Sequence, residues 1–320
     1  MVASGKLRAS IRAMAARLRR RLRSAARRWA DEEALQRGWT RVVCILPCCV
    51  TLASCREGPL DPQGPVGQAE RVILYDATTI MLAVVIPVIL LTLGFAWWFR
   101  SGNRRATYRP NWEYAGRIEL IIWAIPALVI LFLGGIAWIG SHELDPPKPL
   151  DSRVPPLEVE VVSLDWRWLF IYPSERIATV NYLVVPTGVP VHFRLTSTSV
   201  MNSFFIPQLG SQIYTMAGMT TQLNLQADKP GSYAGFSAQF SGPGFSDMQF
   251  TLRAESGEGF TTWVAKTREH DGVLDGASFA ELARPTRAGG ELTYGSVPDD
   301  PFDIVAHGHL ATRWSAKEAL

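Results

Sequence analysis

The sequence is poor in cysteine, and the little it has is concentrated in one place. Cys44, Cys48, Cys49 and Cys55 fall within twelve consecutive positions of the 320 residues. No cysteine follows Cys55. Any site that needs thiolates, such as a thiolate-bridged copper centre, is therefore excluded from the chain beyond that point.

Signatures of enzyme chemistry are also missing. We find no Ser-His-Asp arrangement, no glycine loop that would cradle a phosphate and no paired-carboxylate cleft. The five histidines lack the spacing and acidic neighbours of a zinc site. The closest approach to one is His307-Gly-His309, and a short pair of this kind in a tail is a weak signal. The sequence therefore predicts no catalytic group and no metal site on this chain.

What is present begins with a strongly basic leader. Residues 1–41 contain twelve Lys or Arg against three Asp or Glu, and an apolar run over 42–53 follows. That run is too short for the roughly 20 residues of a membrane-spanning helix and fits a signal peptide. It leads into Leu52-Ala-Ser-Cys55, which resembles the cleavage box of bacterial lipoproteins. We predict a lipoprotein signal peptide over 1–54 and a lipidated, palmitate-bearing Cys55, and a start at Met14 would leave this unchanged.

Removal of the leader changes the sign of the charge. The whole chain carries a formal charge of +3 and the leader has a surplus of nine positive charges, so the remainder carries −6. That remainder has no basic stripe with interleaved aromatic residues, which nucleic-acid binding would need. We therefore predict no nucleic-acid partner.

Two apolar segments, 80–99 and 120–139, are each about 20 residues long and free of charge after the first position. Each can cross the hydrocarbon core of a membrane as a helix. The loop between them, 100–118, carries five arginines against Glu113, and such a positive loop belongs in the cytoplasm. We predict a transmembrane hairpin over 80–140 with both ends outside the cytoplasm.

This topology agrees with the lipoprotein leader. It places the N-terminal segment 55–79 on the periplasmic side of a bacterial cell inner membrane, as membrane lipid on Cys55 would. Pro87 and Pro126 lie inside the spans, and prolines there are tolerated where neighbouring helices satisfy the freed carbonyls. The hairpin is therefore expected to pack against a larger membrane partner.

The composition changes beyond a proline-rich linker, 141–153. Short segments rich in β-branched and aromatic residues predict strands over 157–164, 176–185, 189–196, 220–227 and 248–254. Regularly spaced strands of this kind indicate an antiparallel sandwich or barrel, which we assign to a periplasmic domain over 154–266. The last segment, 267–320, is predicted to be a short helical and extended tail.

Two motifs in this domain resemble known metal loops. The first, residues 199–219, contains Asn202-Ser-Phe-Phe-Ile-Pro-Gln-Leu-Gly, and the second, residues 230–248, contains Ser241-Gly-Pro-Gly-Phe-Ser. They resemble the copper-ligand loops of subunit II of the haem–copper oxidases, which implies a cupredoxin-like sandwich. In the cytochrome c branch of that family, the first loop supplies a histidine and the second supplies two cysteines, a histidine and a methionine.

This chain departs from that ligand set. Asn202 and Gly244 stand at the histidine positions, Phe236 and Phe240 stand at the cysteine positions, and Met248 survives one residue out of register. These degenerate copper-ligand positions cannot build a binuclear copper centre. Both phenylalanines are predicted to fill the former ligand pocket with apolar carbon.

The loss of the ligands points to one branch. Together with the spans, the lipoprotein box, Asp165-Trp-Arg-Trp-Leu-Phe-Ile-Tyr-Pro173 and Phe260-Thr-Thr-Trp-Val-Ala-Lys266, the motifs resemble subunit II of the cytochrome bo-type ubiquinol oxidases. The resemblance implies a subunit of a proton-translocating respiratory enzyme that oxidises ubiquinol and reduces oxygen to water. Haems and copper are then expected in the partner subunit I. This chain would carry no cofactor and would cap subunit I, beside further small membrane subunits.

Glu119 opens the second span. The resemblance implies that a glutamate here lies at the cytoplasmic mouth of a proton channel into subunit I. A carboxylate at a membrane boundary is energetically expensive and often marks a proton path. The alternative is an interfacial glutamate paired with Arg117.

Other side chains of the motifs receive structural interpretations. Trp166 and Trp168 lie where cytochrome c oxidases receive electrons, but without copper no acceptor follows, so we predict that they pack the domain onto subunit I. Met216, Met219 and Met248 are predicted to be core or contact residues rather than ligands.

Two other functions remain open. One is a copper-carrying cytochrome c oxidase subunit II, against which the missing cysteines argue. The other is a stand-alone membrane lipoprotein that binds a periplasmic ligand through a cupredoxin-like domain, since a fold alone does not fix a function. The two proline-bearing spans argue against this second alternative.

Overall fold

A computed structural model describes residues 58–107, 109–111, 113–286, 289–298 and 301–307. The predicted signal peptide, the lipidation site Cys55, His309 and the end of the predicted tail lie outside the described residues.

Two long helices form the first part of the structure. Helix α1 covers Pro65–Trp98 and helix α2 covers Gly116–Glu143, and each is long and apolar enough to cross a membrane. The 34 residues of α1 extend about 51 Å, whereas the hydrocarbon core is about 30 Å thick. Helix α1 is therefore longer than one crossing requires, and its charged residues, Glu70, Arg71 and Asp76, all lie in the part before residue 80.

A two-sheet sandwich follows. Its strands are β1 (Leu157–Leu164), β2 (Arg167–Tyr172), β3 (Ile177–Val180), β4 (Tyr182–Pro186), β5 (Pro190–Ser197), β6 (Asn202–Phe205), β7 (Ile213–Thr215), β8 (Thr221–Gln226), β9 (Gly231–Ser237), β10 (Gln249–Glu255) and β11 (Leu292–Tyr294). The six-stranded sheet has the order β11-β3-β2-β1-β5-β8, and the five-stranded sheet has the order β4-β10-β9-β6-β7. The predicted sandwich is confirmed.

The strand directions differ from the prediction. The pairs β1–β5 and β4–β10 are parallel, because the chain leaves the six-stranded sheet after β3 and returns to it as β5. The predicted single strand over 176–185 is also wrong. Asn181 adopts φ 60°, a left-handed conformation that asparagine tolerates better than most residues, and the chain changes sheets there.

The interior between the sheets is an aromatic core. Phe204 of β6 stacks on Phe250 of β10, with 5.0 Å between ring centroids, and Trp168 of β2 meets Phe204 edge-on at 5.4 Å. Such ring pairs stabilise a core beyond the area that they bury.

A second core lies on the outer face of the six-stranded sheet. The chain after β10 forms α3 (Gly257–Arg268), α4 (Gly276–Leu282), β11 and α5 (Pro301–Ala306). Phe279 of α4 and Phe302 of α5 pack with Leu169 and Ile171 of β2. Strand β2 is therefore buried on both faces, which explains its continuous run of apolar residues.

Backbone hydrogen bonds attach the hairpin to the sandwich at the start of α1 and just after α2. The Gly67 amide of α1 donates to the Leu209 carbonyl at 3.0 Å. In the linker after α2, the Pro146 carbonyl accepts from both the backbone amide and the side chain of Asn224, at 3.0 and 3.2 Å. Both attachments involve backbone groups, so they fix the domain against the outer ends of the helices.

These attachments also define which end of the sandwich faces the membrane. Gly64, just before α1, lies against the carbonyl of Gln226, the last residue of β8. Further along α1 toward the membrane, Glu70 lines one cavity together with Leu223, nearer the start of β8. Strand β8 therefore begins, at Thr221, on the membrane side.

Candidate functional site

Four loops meet at the membrane-facing end of the sandwich, and we call this region the loop end. It comprises the β1–β2 turn at 165–166 and the loops 198–201, 216–220 and 238–248. A parallel bridge joins Ser197 to Ala217, and the other loops are joined by side chains described below. Both former ligand motifs therefore reach one surface, as their resemblance predicts.

Asn202, at the first histidine position, is 1% exposed. Its Nδ2 donates to Ser163 Oγ at 3.4 Å and to the Val200 carbonyl at 3.3 Å, and its Oδ1 accepts from Ser237 Oγ at 3.2 Å. Ser163 in turn shares a hydrogen bond of 2.8 Å with Thr215. A hydrogen-bonded network occupies this position.

Phe236 and Phe240, at the cysteine positions, differ from each other. Phe236 is half-buried and meets Phe205 at 5.4 Å between centroids. Phe240 is 71% exposed and contacts Phe245 at 5.6 Å. The prediction that Phe240 fills a pocket is wrong for this chain, because its loop turns the ring outward.

Gly244, at the second histidine position, lies beneath the indole of Trp166. A Cβ atom on Gly244 would stand 2.3 Å from Cδ2 of that ring. Trp166 itself has φ 68°, and its Nε1 donates to the Ser241 carbonyl at 3.3 Å. The position has therefore been taken over by an indole ring, and no side chain fits there while Trp166 keeps its place.

The remaining predicted residues separate into core and surface. Trp168 is fully buried in the aromatic core, so the prediction that it packs the domain onto another subunit is wrong for this residue, whose side chain β2 turns inward. Met248 is also buried, whereas Met219 is exposed and Met216 is half-buried.

Exposed apolar side chains cover the loop end. We call Val200, Met201, Met219 and Phe240 the docking patch, and each is at least 40% exposed. Apolar side chains grouped on one end of a domain are typical of a surface that another protein or a membrane covers.

The loop end also carries two acidic side chains, Asp165 and Asp247, and the Ser199 hydroxyl donates to the Asp165 carboxylate. Burial lowers the pKa of the Arg167 guanidinium, which nevertheless stays charged at neutral pH, as arginine does in proteins. Within the described ranges, no group of three or more His, Cys, Asp or Glu side chains could hold a metal ion. His192 lies elsewhere, with Nδ1 2.9 Å from Asn224 Oδ1.

Glu119 lies in the first turn of α2 and is half-buried. Its backbone amide donates to the Ala115 carbonyl at 3.0 Å. Among the described residues its carboxylate has no ion-pair partner, so the alternative pairing with Arg117 is not formed.

Sequence reasoning missed the polar residues around Asn202. Ser163, Thr215 and Ser237 are each at most 3% exposed, yet none belongs to a familiar motif. The available signal was weak: serine and threonine near strand ends, where hydroxyls are common without being buried.

Comparison with known proteins shows the class of protein to which this chain belongs. The model of the family described as cytochrome c oxidase subunit II, periplasmic domain, matches residues 161–254. The cytochrome bo(3) ubiquinol oxidase subunit 2 of Pseudomonas aeruginosa is 47% identical over 263 residues, 82% of this chain and 78% of the relative. The ubiquinol oxidase subunit 2 of Acetobacter aceti is 51% identical over 75% of this chain and 79% of its own length. This chain belongs to the subunit 2 family of the ubiquinol oxidases.

A more distant relative extends the same grouping. The quinol oxidase subunit 2 of Bacillus cereus is 35% identical over 267 residues, which is 82% of this chain and 91% of that protein. The predicted family is thus confirmed.

Proposed function

We propose that this chain is the non-redox subunit II of a proton-translocating ubiquinol oxidase in a bacterial inner membrane. It would cap subunit I, where the haems and copper reside and where ubiquinol is oxidised and oxygen reduced to water. The observation that carries the proposal is the altered ligand set: Asn202 is hydrogen-bonded in the interior and Gly244 lies under an indole. A subunit that receives no electrons from a soluble cytochrome needs no copper relay.

The docking patch supports the capping role. It lies at the loop end, on the side of the sandwich where α1 and α2 enter the membrane, so a protein beside the hairpin would meet it. Its apolar side chains, Phe240 above all, suit the core of a protein interface. The occupant is then the outer surface of subunit I.

Co-purification tests the assignment directly. Extraction of the full-length chain in a mild detergent should recover a partner whose spectrum shows haem. Recovery of this chain alone would contradict the assignment, and copper in the purified chain itself would support the cytochrome c alternative.

Glu119 is proposed to open a proton path into subunit I. Its place in the first turn of α2 supports this role. Glu119→Ala should slow oxidase turnover while the complex still assembles, whereas the matched Glu113→Ala, an exposed carboxylate of the same cytoplasmic segment, should not. Normal turnover in an assembled Glu119→Ala oxidase would rule the role out.

The N-terminus is proposed to be anchored by lipid on Cys55 at the periplasmic surface. The basic leader, the short apolar run and Leu52-Ala-Ser-Cys55 support this in their order along the chain. Mass spectrometry of the mature protein should find an acylated Cys55 as the first residue, and an unmodified or longer N-terminus would count against the anchor.

A further inference from the structure

We propose that Asn202 is the centre of a metal-free clamp that fixes the loop end and so holds the docking patch in shape. The inference rests on the proposed function only for the identity of the docked partner. The clamp itself is a property of this chain.

The contacts of Asn202 form a closed ring. Its Nδ2 donates to Ser163 Oγ (3.4 Å). The Ser163 hydroxyl then donates to Thr215 Oγ1 at 2.8 Å. The Thr215 hydroxyl donates in turn to the backbone carbonyl of Asn202 at 3.4 Å. Each hydroxyl thus both accepts and donates, and each hydrogen bond in such a chain polarises the next.

The ring joins the two sheets. Ser163 belongs to β1 of the six-stranded sheet, whereas Asn202 and Thr215 belong to β6 and β7 of the five-stranded sheet. Oδ1 of Asn202 adds Ser237 at the end of β9 through a bond of 3.2 Å. The Asn202 side chain therefore ties β6 and β9 of one sheet to β1 of the other, and β7 joins them through Thr215, which bonds Ser163 and the Asn202 backbone carbonyl.

The clamp also holds the loops that carry the docking patch. Nδ2 of Asn202 donates to the carbonyl of Val200, which belongs to the patch. The single hydroxyl hydrogen of Ser237 is shared between Asn202 Oδ1 and the carbonyl of Gln239, next to Phe240, each 3.2 Å from Ser237 Oγ. The two patch-bearing segments on either side are thus connected through Asn202.

Only a carboxamide meets these demands. The site presents acceptors, Ser163 Oγ and the Val200 carbonyl, on one side and a donor, Ser237 Oγ, on the other. A leucine would form none of these three hydrogen bonds and would leave Ser163, Val200 and Ser237 only their bonds to Thr215, Ser197 and Gln239. An aspartate would bury a charge and face the Val200 carbonyl with an acceptor. The position at which the copper branch places a metal ligand is here suited to a neutral side chain that ties the loops by hydrogen bonds.

Hydrogen–deuterium exchange on the full-length chain in detergent tests the clamp without any partner. In Asn202→Leu, amides of the segments 198–203 and 236–241 should exchange about tenfold faster, equivalent to about 1.4 kcal/mol. Two of them, Thr198 and Ala238, donate to backbone carbonyls at 3.1 and 3.0 Å and so begin protected. Exchange in α3 and in the centre of β1 should stay unchanged.

Thr179→Val is the matched control. Thr179 is fully buried and donates one hydrogen bond to the Tyr182 carbonyl, which joins β3 to β4 and includes none of the Asn202 partners. Its loss should leave both loop segments unchanged. If Asn202→Leu does not fold, Ser237→Ala removes one donor with a small change in volume and should accelerate the same two segments less.

Capture of the haem-containing partner provides the second measurement. Asn202→Leu should recover several-fold less partner than the wild-type chain, and Thr179→Val should recover as much. Unchanged exchange in both loops, or acceleration spread evenly over the domain, would overturn the clamp. Failure of the wild-type chain to capture any haem protein would instead overturn the proposed function and leave the exchange result standing.

Discussion

The two former ligand motifs have been rebuilt in opposite ways. In the first motif, a polar side chain, Asn202, is 1% exposed and joins a hydrogen-bonded network, whereas in the second an aromatic side chain, Phe240, is 71% exposed. A metal centre would hold both motifs by a single set of bonds. Without it, Asn202 has become part of the interior, whereas Phe240 joins Val200, Met201 and Met219 of the first motif in an exposed patch.

The difference shows how a domain can keep its shape after it loses a cofactor. The buried position, Asn202, needs a partner for each donor and acceptor, because an unpaired polar group in a core is destabilising. The exposed loop that carries Phe240 needs only a fixed backbone, which the packing of Trp166 on Gly244 provides. Stability thus depends on the buried ligand positions, and docking depends on exposed side chains that both motifs supply.

The largest expected effect comes from the core beside the first motif. Phe204 follows Asn202 by two residues, is fully buried, and stacks on Phe250. Phe204→Ala should lower the free energy of unfolding by about 3–5 kcal/mol, since a large cavity replaces the ring. Thermal or denaturant unfolding of the full-length chain in detergent measures this, and a loss below about 1 kcal/mol would mean that the first motif is not part of the core.

An intermediate effect is expected at the base of the second motif. Gly244→Ala places a Cβ 2.3 Å from the Trp166 ring and should destabilise the domain by about 1–3 kcal/mol through overpacking. Gly257→Ala is the control, because nothing lies within 4 Å of the added atom at the start of α3. In the background of Trp166→Ala, the Gly244→Ala substitution should have little further effect, and a full additive loss would show that the two residues do not interact.

Sequence patterns predicted the strands whose ends are marked by clear turn residues. They missed other strands for physical reasons. Strands β1, β5, β8 and β10 lie within a residue or two of their predicted bounds. Strand β2 lacks alternation because the chain after β10 covers its second face, a fact that no local pattern contains. The break at Asn181 depends on one backbone angle, which its sequence neighbours do not specify.

The candidate site was predictable in its residue positions and not in its contacts. The missing ligands can be read directly from Asn202, Phe236 and Gly244. The path of the loops determines the rest. It places the Trp166 indole where a side chain at residue 244 would lie, and it turns Phe240 outward. Sequence spacing therefore identified where chemistry had been lost, while the three-dimensional arrangement was needed to find what replaced it.

The smallest effect on stability is expected for Phe240→Ala. This substitution also tests most directly whether Phe240 acts in docking rather than in stability. Because its ring is mostly solvent-exposed, truncation should change the free energy of unfolding of the isolated chain by less than about 0.5 kcal/mol. Recovery of the haem-containing partner should nevertheless fall, since an aromatic side chain at the centre of an interface commonly supplies much of its binding energy. Val273→Ala should alter neither quantity, because Val273 is an exposed apolar residue that bridges Ser296 near the β2–β3 turn, at the opposite end of the sandwich from the loop end. Unimpaired recovery of the haem-containing partner with Phe240→Ala would show that Phe240 does not act in docking. Asn202 and Phe240 would then differ only in their burial.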